Sequence, residues 1–235
     1  FAYPDQPEKM ILKDISITIP SGAMIGVFGR TGSGKTTLLR LIARSFNPPK
    51  GSICIGGLDI CTFDLKSWRK KLSFVPQRPF LFSDTIQGNI ALEDTFLEKD
   101  IERVVSLASL KQDLDAFEKG LDTIVGERGI MLSGGQRQRV ALARGLYKEN
   151  SLILLDDILS AVDHENEARL VSTLNEISQD GNTCFIVSNR VSAFRYASLI
   201  LVLEQGRLVD SGTHEELIKR EGIYQETYHA QREVS

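Results

Sequence analysis

Long apolar runs, paired cysteines and a strong charge of one sign are all missing from this chain of 235 residues. No apolar run approaches the roughly 18 residues that cross a bilayer, so we expect no membrane-spanning segment within it. The three cysteines are odd in number and form no C-x-x-C motif, which favours reduced thiols over a disulfide framework or a zinc site. The net charge of −3 argues against a nucleic-acid binder. The chain carries no secretory signal and begins at Phe1, so we expect a piece of a longer protein.

What the chain does contain is an alternation of apolar strands and amphipathic helices. An apolar strand is predicted at 23–29 and a helix at 35–46, with short strands at 11–20 and 51–57. The stretch 85–147 is predicted to be rich in helix and separates two regions of strand–helix alternation. This order is typical of an α/β fold with a parallel-sheet core and an inserted helical lobe. The predicted division is a single domain, 1–235, with 1–84 and 148–235 as the core and 85–147 as the helical subdomain.

A glycine-rich loop, GRTGSGKT at 29–36, follows an apolar strand and opens a helix. This spacing in this context is typical of a phosphate-binding loop, whose backbone N–H groups and helix N-terminus hold phosphate oxygens. Lys35 would reach the β- and γ-phosphates, and the Thr36 hydroxyl would bind Mg²⁺. Asp156, at the end of a later apolar strand, is the expected second Mg²⁺ ligand, held through water. The loop residues predicted to bind the nucleotide are Gly29, Arg30, Thr31, Gly32, Ser33, Gly34, Lys35, Thr36 and Thr37.

A second glycine motif, LSGGQ at 132–136, also opens a predicted helix. Serine and glycine at a helix start can form another anion site. Together with the phosphate loop and the acidic strand, the motif resembles the signature of ATP-binding cassette (ABC) proteins, and the resemblance covers essentially the whole chain. It implies a P-loop NTPase of the ABC type, with an N-terminal antiparallel β-subdomain and an inserted helical subdomain. Two such domains enclose ATP head to tail, so the signature would bind the partner's nucleotide through Ser133, Gly134, Gly135 and Gln136.

Further segments carry the same resemblance. Tyr3 in FAYP matches the aromatic loop whose ring stacks on adenine, and Gln77 in FVPQRPFLF matches the glutamine loop that links Mg²⁺ or water to the membrane-domain contact. Asp163 in SAVD matches an acid that reaches across the dimer. TIVGERG at 123–129 is similar to a segment of exporters that lies near the transmembrane partner. The metal ligands implied are therefore Thr36, Gln77 and Asp156.

The resemblance also implies the setting in which the chain works. ATP and Mg²⁺ would be its ligands, and a second ABC domain and the transmembrane domains of an exporter would be its partners, with no nucleic acid. The full-length protein would be integral to the cell inner membrane, with this domain on the cytoplasmic side.

Two positions depart from the family pattern. The family has Glu after the Mg²⁺-binding Asp, where it polarises the attacking water; this chain has Asp157, whose carboxylate retreats by about 1 Å. The family has a His that holds the γ-phosphate; this chain has Asn189, which neither titrates nor carries charge, and which we also expect to form an Asx turn before the helix near Val191. With Gln77, these are the candidate catalytic residues. We expect tight ATP binding, weak hydrolysis at this chain's own site, and a different partner subunit with the usual Glu and His.

Three other functions remain open. In the first, the chain is the ATPase of an ordinary homodimeric exporter, and Asp157 and Asn189 still support turnover. The second is a cassette protein that acts on DNA or ribosomes, which the low basicity and the exporter-like segment disfavour. The third is an ATP-sensing module without hydrolysis, which differs from the leading hypothesis only in whether a partner domain is required.

Overall fold

The structure is a computed structural model that describes residues 1–49, 52–93, 97–126, 130–148, 150–161 and 164–233. The strands are β1 Met24–Phe28, β2 Cys54–Ile55, β3 Leu58–Asp59, β4 Leu72–Val75, β5 Leu152–Asp156, β6 Thr183–Val187, β7 Leu199–Glu204 and β8 Arg207–Gly212. The helices are α1 Lys35–Ile42, α2 Leu65–Arg69, α3 Ile86–Ala91, α4 Glu98–Leu107, α5 Lys111–Asp115, α6 Gly134–Tyr147, α7 His164–Gln179, α8 His214–Leu217 and α9 Ile223–Glu233.

Six of the strands form one sheet in the order β4-β5-β6-β1-β7-β8. Every neighbouring pair from β4 to β7 is parallel, and only β8 runs antiparallel to its neighbour. The carboxyl ends of parallel strands lie at the same edge of a sheet, where α/β proteins bind their ligands. The predicted parallel-sheet α/β core is therefore confirmed.

Both faces of this sheet are covered, which explains the continuous apolar runs of its strands. On β1, Met24 and Phe28 point into a core shared with α3, α4, α6 and α7. Ile25 and Val27 point to the opposite face, into a core shared with α1 and α2. The side chains of β5 and β6 alternate between the same two cores. The strands that end at the site are thus fixed by packing on both sides.

Helices α3 to α6 lie between β4 and β5 in the chain, and α6 packs against α3 and α4. Helix α6 also contacts β4, so the helical segment is attached directly to the sheet. Within the described residues, no helix combines the length and the apolar character needed to cross a bilayer.

The strand predicted at 11–20 is wrong, because the described residues there form no sheet ladder. The alternation that suggested it is real: Ile15, Ile17 and Ile19 are half-buried and pack on the core that contains α1, while the residues between them are exposed. Burial of every second residue therefore occurs without strand pairing. In the described N-terminal region, the antiparallel pairing consists of the β2–β3 hairpin and an isolated bridge between Ala2 and Met10.

Candidate functional site

The phosphate loop joins the end of β1 to the start of α1. Its glycines are required by the backbone: Gly32 and Gly34 have φ of 83° and 103°, in the left-handed region that favours glycine. Lys35 donates from Nζ to the carbonyls of Gly29 (2.5 Å) and Arg30 (2.9 Å), so its amine lies over the loop. Burial lowers the pKa of Lys35, and the charges of Asp157 and Asp156 oppose this effect. A cation thus lies over the loop at the first residue of α1.

The first aspartate completes a pair of oxygen ligands with the start of α1. Asp156 is the last residue of β5 and is only 2% exposed. The Thr36 hydroxyl donates to Asp156 Oδ1 over 3.0 Å. Burial raises the pKa of Asp156, while the hydrogen bond from Thr36 acts in the opposite direction. Two of the three residues predicted from the sequence as metal ligands, Thr36 and Asp156, are therefore adjacent, whereas the third, Gln77, bonds to Asp157.

The second aspartate has a different environment. Asp157 has φ of 52°, and its N–H donates to the carbonyl of Val187 at the end of β6. Gln77, which follows β4, donates from Nε2 to Asp157 Oδ2 over 2.9 Å. Burial raises the pKa of Asp157, whereas the Gln77 hydrogen bond and the charges of Lys35 and Arg190 lower it. Gln77 and Asp157 are thus brought together although they are far apart in the chain.

Asn189 lies in the loop that follows β6, and β6 lies between β5 and β1 in the sheet. Its side chain is exposed. The Asx turn predicted for it is wrong: Ser188, not Asn189, makes the turn, because its Oγ accepts a hydrogen bond from the Arg190 N–H (3.0 Å). The side chain of Asn189 is therefore not needed for local capping.

Tyr3 lies against the start of α1. Its hydroxyl is 2.8 Å from Thr37 Oγ1, and its ring makes edge contacts with Phe1 and Phe46 at centroid distances of 5.3 and 5.0 Å. These contacts bring the aromatic ring to the helix that the phosphate loop opens. Its stacking on adenine remains a prediction.

The signature turn is the N-terminus of α6. Ser133 caps the helix: its Oγ accepts from the Gln136 N–H, and Gln136 Oε1 accepts from the Ser133 N–H. Gln136 also donates from Nε2 to Asp113 on α5, which forms a two-pronged ion pair with Arg139. A methyl group placed at Gly134 would meet open space, so the turn is accessible from outside. Within the described part of the chain, no recorded hydrogen bond joins this turn to the phosphate loop.

The residues of this edge fit a magnesium nucleotide. Ser33 Oγ is buried in the loop and has no hydrogen-bond partner among the described residues, which leaves a donor for a ligand oxygen. The Thr36 hydroxyl and the Asp156 carboxylate are hard oxygen ligands of the kind that Mg²⁺ prefers. Asp163, and positions 127–129 of the exporter-like segment, lie outside the described residues.

Two residues that contact the Asn189 loop were not found from the sequence. Glu167 on α7 is 3% exposed, and its two oxygens accept from Arg190 Nη1 and from Ser192 Oγ, each at 2.5 Å. Gln231 on α9 bonds to the main chain of the same loop. These contacts join residues 23 to 42 positions apart, so no local pattern predicts them.

Comparison with known proteins identifies the family. The family described as "ABC transporter" matches residues 12–160, well over half of the chain. The chain belongs to the ABC transporter family. It is an ATP-binding ABC ATPase domain, as the sequence predicted.

The names of three relatives of this ABC domain refer to multidrug resistance or to lipid A-core flipping. It is 41% identical to the multidrug resistance-like ATP-binding protein MdlA of Escherichia coli, over 99% of this chain and 39% of that protein. It is 39% identical to the probable multidrug resistance ABC transporter ATP-binding/permease protein YheI of Bacillus subtilis (99% and 40%). It is 38% identical to the ATP-dependent lipid A-core flippase of Sodalis glossinidius (98% and 40%).

Among solved structures, a bacterial Atm1-family ABC exporter with ATP bound superposes on the ABC domain with a TM-score of 0.90. The two are 36% identical, over 99% of this chain and 41% of that one. The chain thus spans about two fifths of the length of the relatives it matches.

Proposed function

We propose that this ABC domain binds Mg-ATP at its own phosphate loop, hydrolyses it weakly there, and completes a fully active site on a different partner domain of an exporter. Bound Mg-ATP would supply the phosphate charge for the loop N–H groups, Lys35, Thr36 and Asp156. These residues would bind the phosphates while the dimer is closed and release them when the dimer opens. Opening and closing of the dimer would drive transport through the transmembrane domains.

The observation that carries the proposal is the position of the second carboxylate. Asp157 is one methylene shorter than the glutamate of the family pattern, and the Gln77 amide holds it by a hydrogen bond of 2.9 Å. A carboxylate that ends about 1 Å from its productive position can cost on the order of 10²-fold in rate. Asn189 adds a neutral side chain where the family pattern has an acid–base group, a change typically worth 10²–10⁴-fold. Both changes affect hydrolysis, whereas the phosphate loop retains every binding group.

The signature turn supports the second half of the proposal. Ser133 and Gln136 cap α6 reciprocally, and Asp113 holds Gln136 from α5. The turn is therefore well ordered, and its Gly134 side is open. Such a helix N-terminus suits the γ-phosphate of a nucleotide bound to another chain.

An exposed apolar surface suits contact with the transmembrane domains. Phe80 and Phe82 are 69% and 50% exposed, and their rings contact each other at a centroid distance of 5.2 Å; contiguous exposed apolar side chains of this kind mark interaction sites. The chain at 84–86 is hydrogen-bonded to 123–125, and near it Met131 is 78% exposed. Phe80 follows Gln77 by three residues, and its carbonyl accepts a hydrogen bond from Arg144 on α6, so this surface is joined to the chain after Gln77 and to the signature helix. We infer that this domain lies on the cytoplasmic side of a cell inner membrane.

The test measures Mg-ATP turnover at several protein concentrations for the wild type and for Asp157→Glu combined with Asn189→His, with ATP binding measured in parallel. We expect tight binding in both forms and turnover at least about 10-fold higher in the double variant. Asp180→Glu combined with Asn175→His is the matched control, because it makes the same chemical changes away from the site and should leave turnover unchanged.

The alternative outcomes are distinct. Brisk wild-type turnover that grows with the square of protein concentration would contradict the proposal and support a homodimeric exporter ATPase. Equal, slow turnover in wild type and double variant, with ATP bound by both, would mean that these two positions are not the cause.

A further inference from the structure

The loop that presents Asn189 is held by a side chain of the last helix. Gln231 on α9 accepts a hydrogen bond at Oε1 from the Val191 N–H (2.9 Å) and donates from Nε2 to the Asn189 carbonyl (2.8 Å). The amide group of one side chain therefore bridges two main-chain groups of the loop. Two such bonds fix the loop backbone more firmly than either alone, because they define both its position and its tilt.

Helix α7 also holds this loop, through Glu167. Glu167 accepts from Arg190 and from Ser192, so residues 189 to 192 are all anchored by side chains from outside the loop. We call these two residues, Glu167 on α7 and Gln231 on α9, the loop clamp. The clamp leaves the Asn189 side chain exposed, free to face a ligand.

Helix α9 has a firm base from which Gln231 can act. Tyr224, near its start, is 2% exposed, and its ring lies 5.0 Å from Phe28 at the end of β1. The Tyr224 hydroxyl is 2.9 Å from His214 Nδ1, which joins α9 to α8. Helix α9 is therefore packed on the strand that leads into the phosphate loop.

We propose that Gln231 is a positioning residue for nucleotide hydrolysis: it holds the Asn189 loop at the carboxyl edge of the sheet, so that the C-terminal helix controls turnover without touching the nucleotide. The inference rests on the proposed function in taking this loop as the one that faces the γ-phosphate. Loss of the two hydrogen bonds would let the loop move by the order of 1 Å that separates productive from unproductive geometry.

The test compares Gln231→Leu, which removes both bonds at similar size, with Gln231→Glu, which keeps the acceptor for Val191 and loses the donor for Asn189. Each change is made in the native assembly, both in the wild type and in Asp157→Glu with Asn189→His. Gln225→Leu is the matched control, because Gln225 lies on the same helix and bonds only to the Ile218 carbonyl among its recorded contacts.

We expect Gln231→Leu to lower turnover about 10-fold relative to its parent while the Kd for ATP stays within about twofold, because the phosphate loop is untouched. The turnover of Gln231→Glu should lie between that of Gln231→Leu and that of the parent. Hydrogen exchange of the peptide 188–194 should become faster in Gln231→Leu and stay unchanged in Gln225→Leu.

Unchanged turnover in Gln231→Leu would overturn the inference, as would an equal loss in Gln225→Leu, which would indicate general weakening of α9. Brisk turnover by the wild type would contradict the proposed function but not this inference. In that case the effect of Gln231→Leu on turnover is measured against the wild type. Absence of turnover in both parents, with ATP bound, would contradict both proposals.

Discussion

Glu167 is a buried carboxylate whose two oxygens both serve one loop. It accepts from Arg190 and Ser192 at 2.5 Å each and is 3% exposed. Replacing it by Gln removes the charge that pairs with Arg190 and turns one acceptor into a donor, so that the Ser192 hydroxyl would have to rotate and accept. We expect Glu167→Gln to lower the free energy of unfolding by about 1–3 kcal/mol, because a charged hydrogen bond is lost in a buried place. Urea denaturation followed by the fluorescence of Trp68 measures this change.

The control for this change is Glu176→Gln, an exposed position on the same helix. Its free energy of unfolding should stay within about 0.5 kcal/mol of the wild type. Equal free energies of unfolding in the two variants would mean that the contacts of Glu167 make no net contribution to stability.

At the scale of single residues, the sequence predicted which chemical groups form the site better than it predicted which of them lie together. The adjacent acids Asp156 and Asp157 and the phosphate loop are visible as motifs, because their spacing is local. The pairing of Gln77 with Asp157 depends on the order of β4 and β5 in the sheet, which no local pattern contains. The turn predicted for Asn189 is formed by Ser188 instead, because either residue type can accept a hydrogen bond from the N–H two residues further along the chain.

Among the helices, α6 begins at the signature turn, and its Arg144 bonds to the segment that follows Gln77. Its guanidinium donates to the carbonyl and side-chain oxygens of Asn89 and to the Phe80 carbonyl, at 2.7–3.0 Å. Lys keeps the charge but not the planar fork. We expect Arg144→Lys to lower the free energy of unfolding by about 1.5–3 kcal/mol, measured by urea denaturation.

Arg103→Lys is the control, because Arg103 is exposed on α4. A loss in Arg144→Lys no larger than in Arg103→Lys would show that Lys replaces all three bonds.

The elements themselves were largely predictable. Apolar runs predicted β1 and β5, and helical spacing predicted α1, because the two strands are buried along their whole length and α1 packs one face on the core. The strand predicted at 11–20 was wrong because burial of every second residue requires only a surface to pack on and not a partner strand.

In the whole molecule, Cys184 lies at the centre of the sheet. It is buried on β6 between β1 and β5, and burial raises the pKa of its thiol to about 12. A thiol with so little thiolate, and no access to solvent, reacts only after the sheet opens. In a Cys54→Ser, Cys61→Ser variant, we expect labelling by a maleimide to follow global unfolding across a urea series.

The comparison is the exposed Cys54, which a Cys61→Ser, Cys184→Ser variant should label in the folded protein. Fast labelling of Cys184 well below the urea midpoint would contradict a uniformly stable sheet and indicate local opening at β6.

The loop clamp has a consequence for how such domains diverge. The two hydrogen bonds described for Gln231 reach main-chain atoms of the Asn189 loop, and the atom bonded at position 189 is the carbonyl oxygen, which every residue type supplies. A mutation at 189 therefore changes the chemical group that faces the ligand and leaves the loop's anchors in place. After a gene duplication, one copy can exchange that side chain in a single step, without repair elsewhere, while its twin keeps the original.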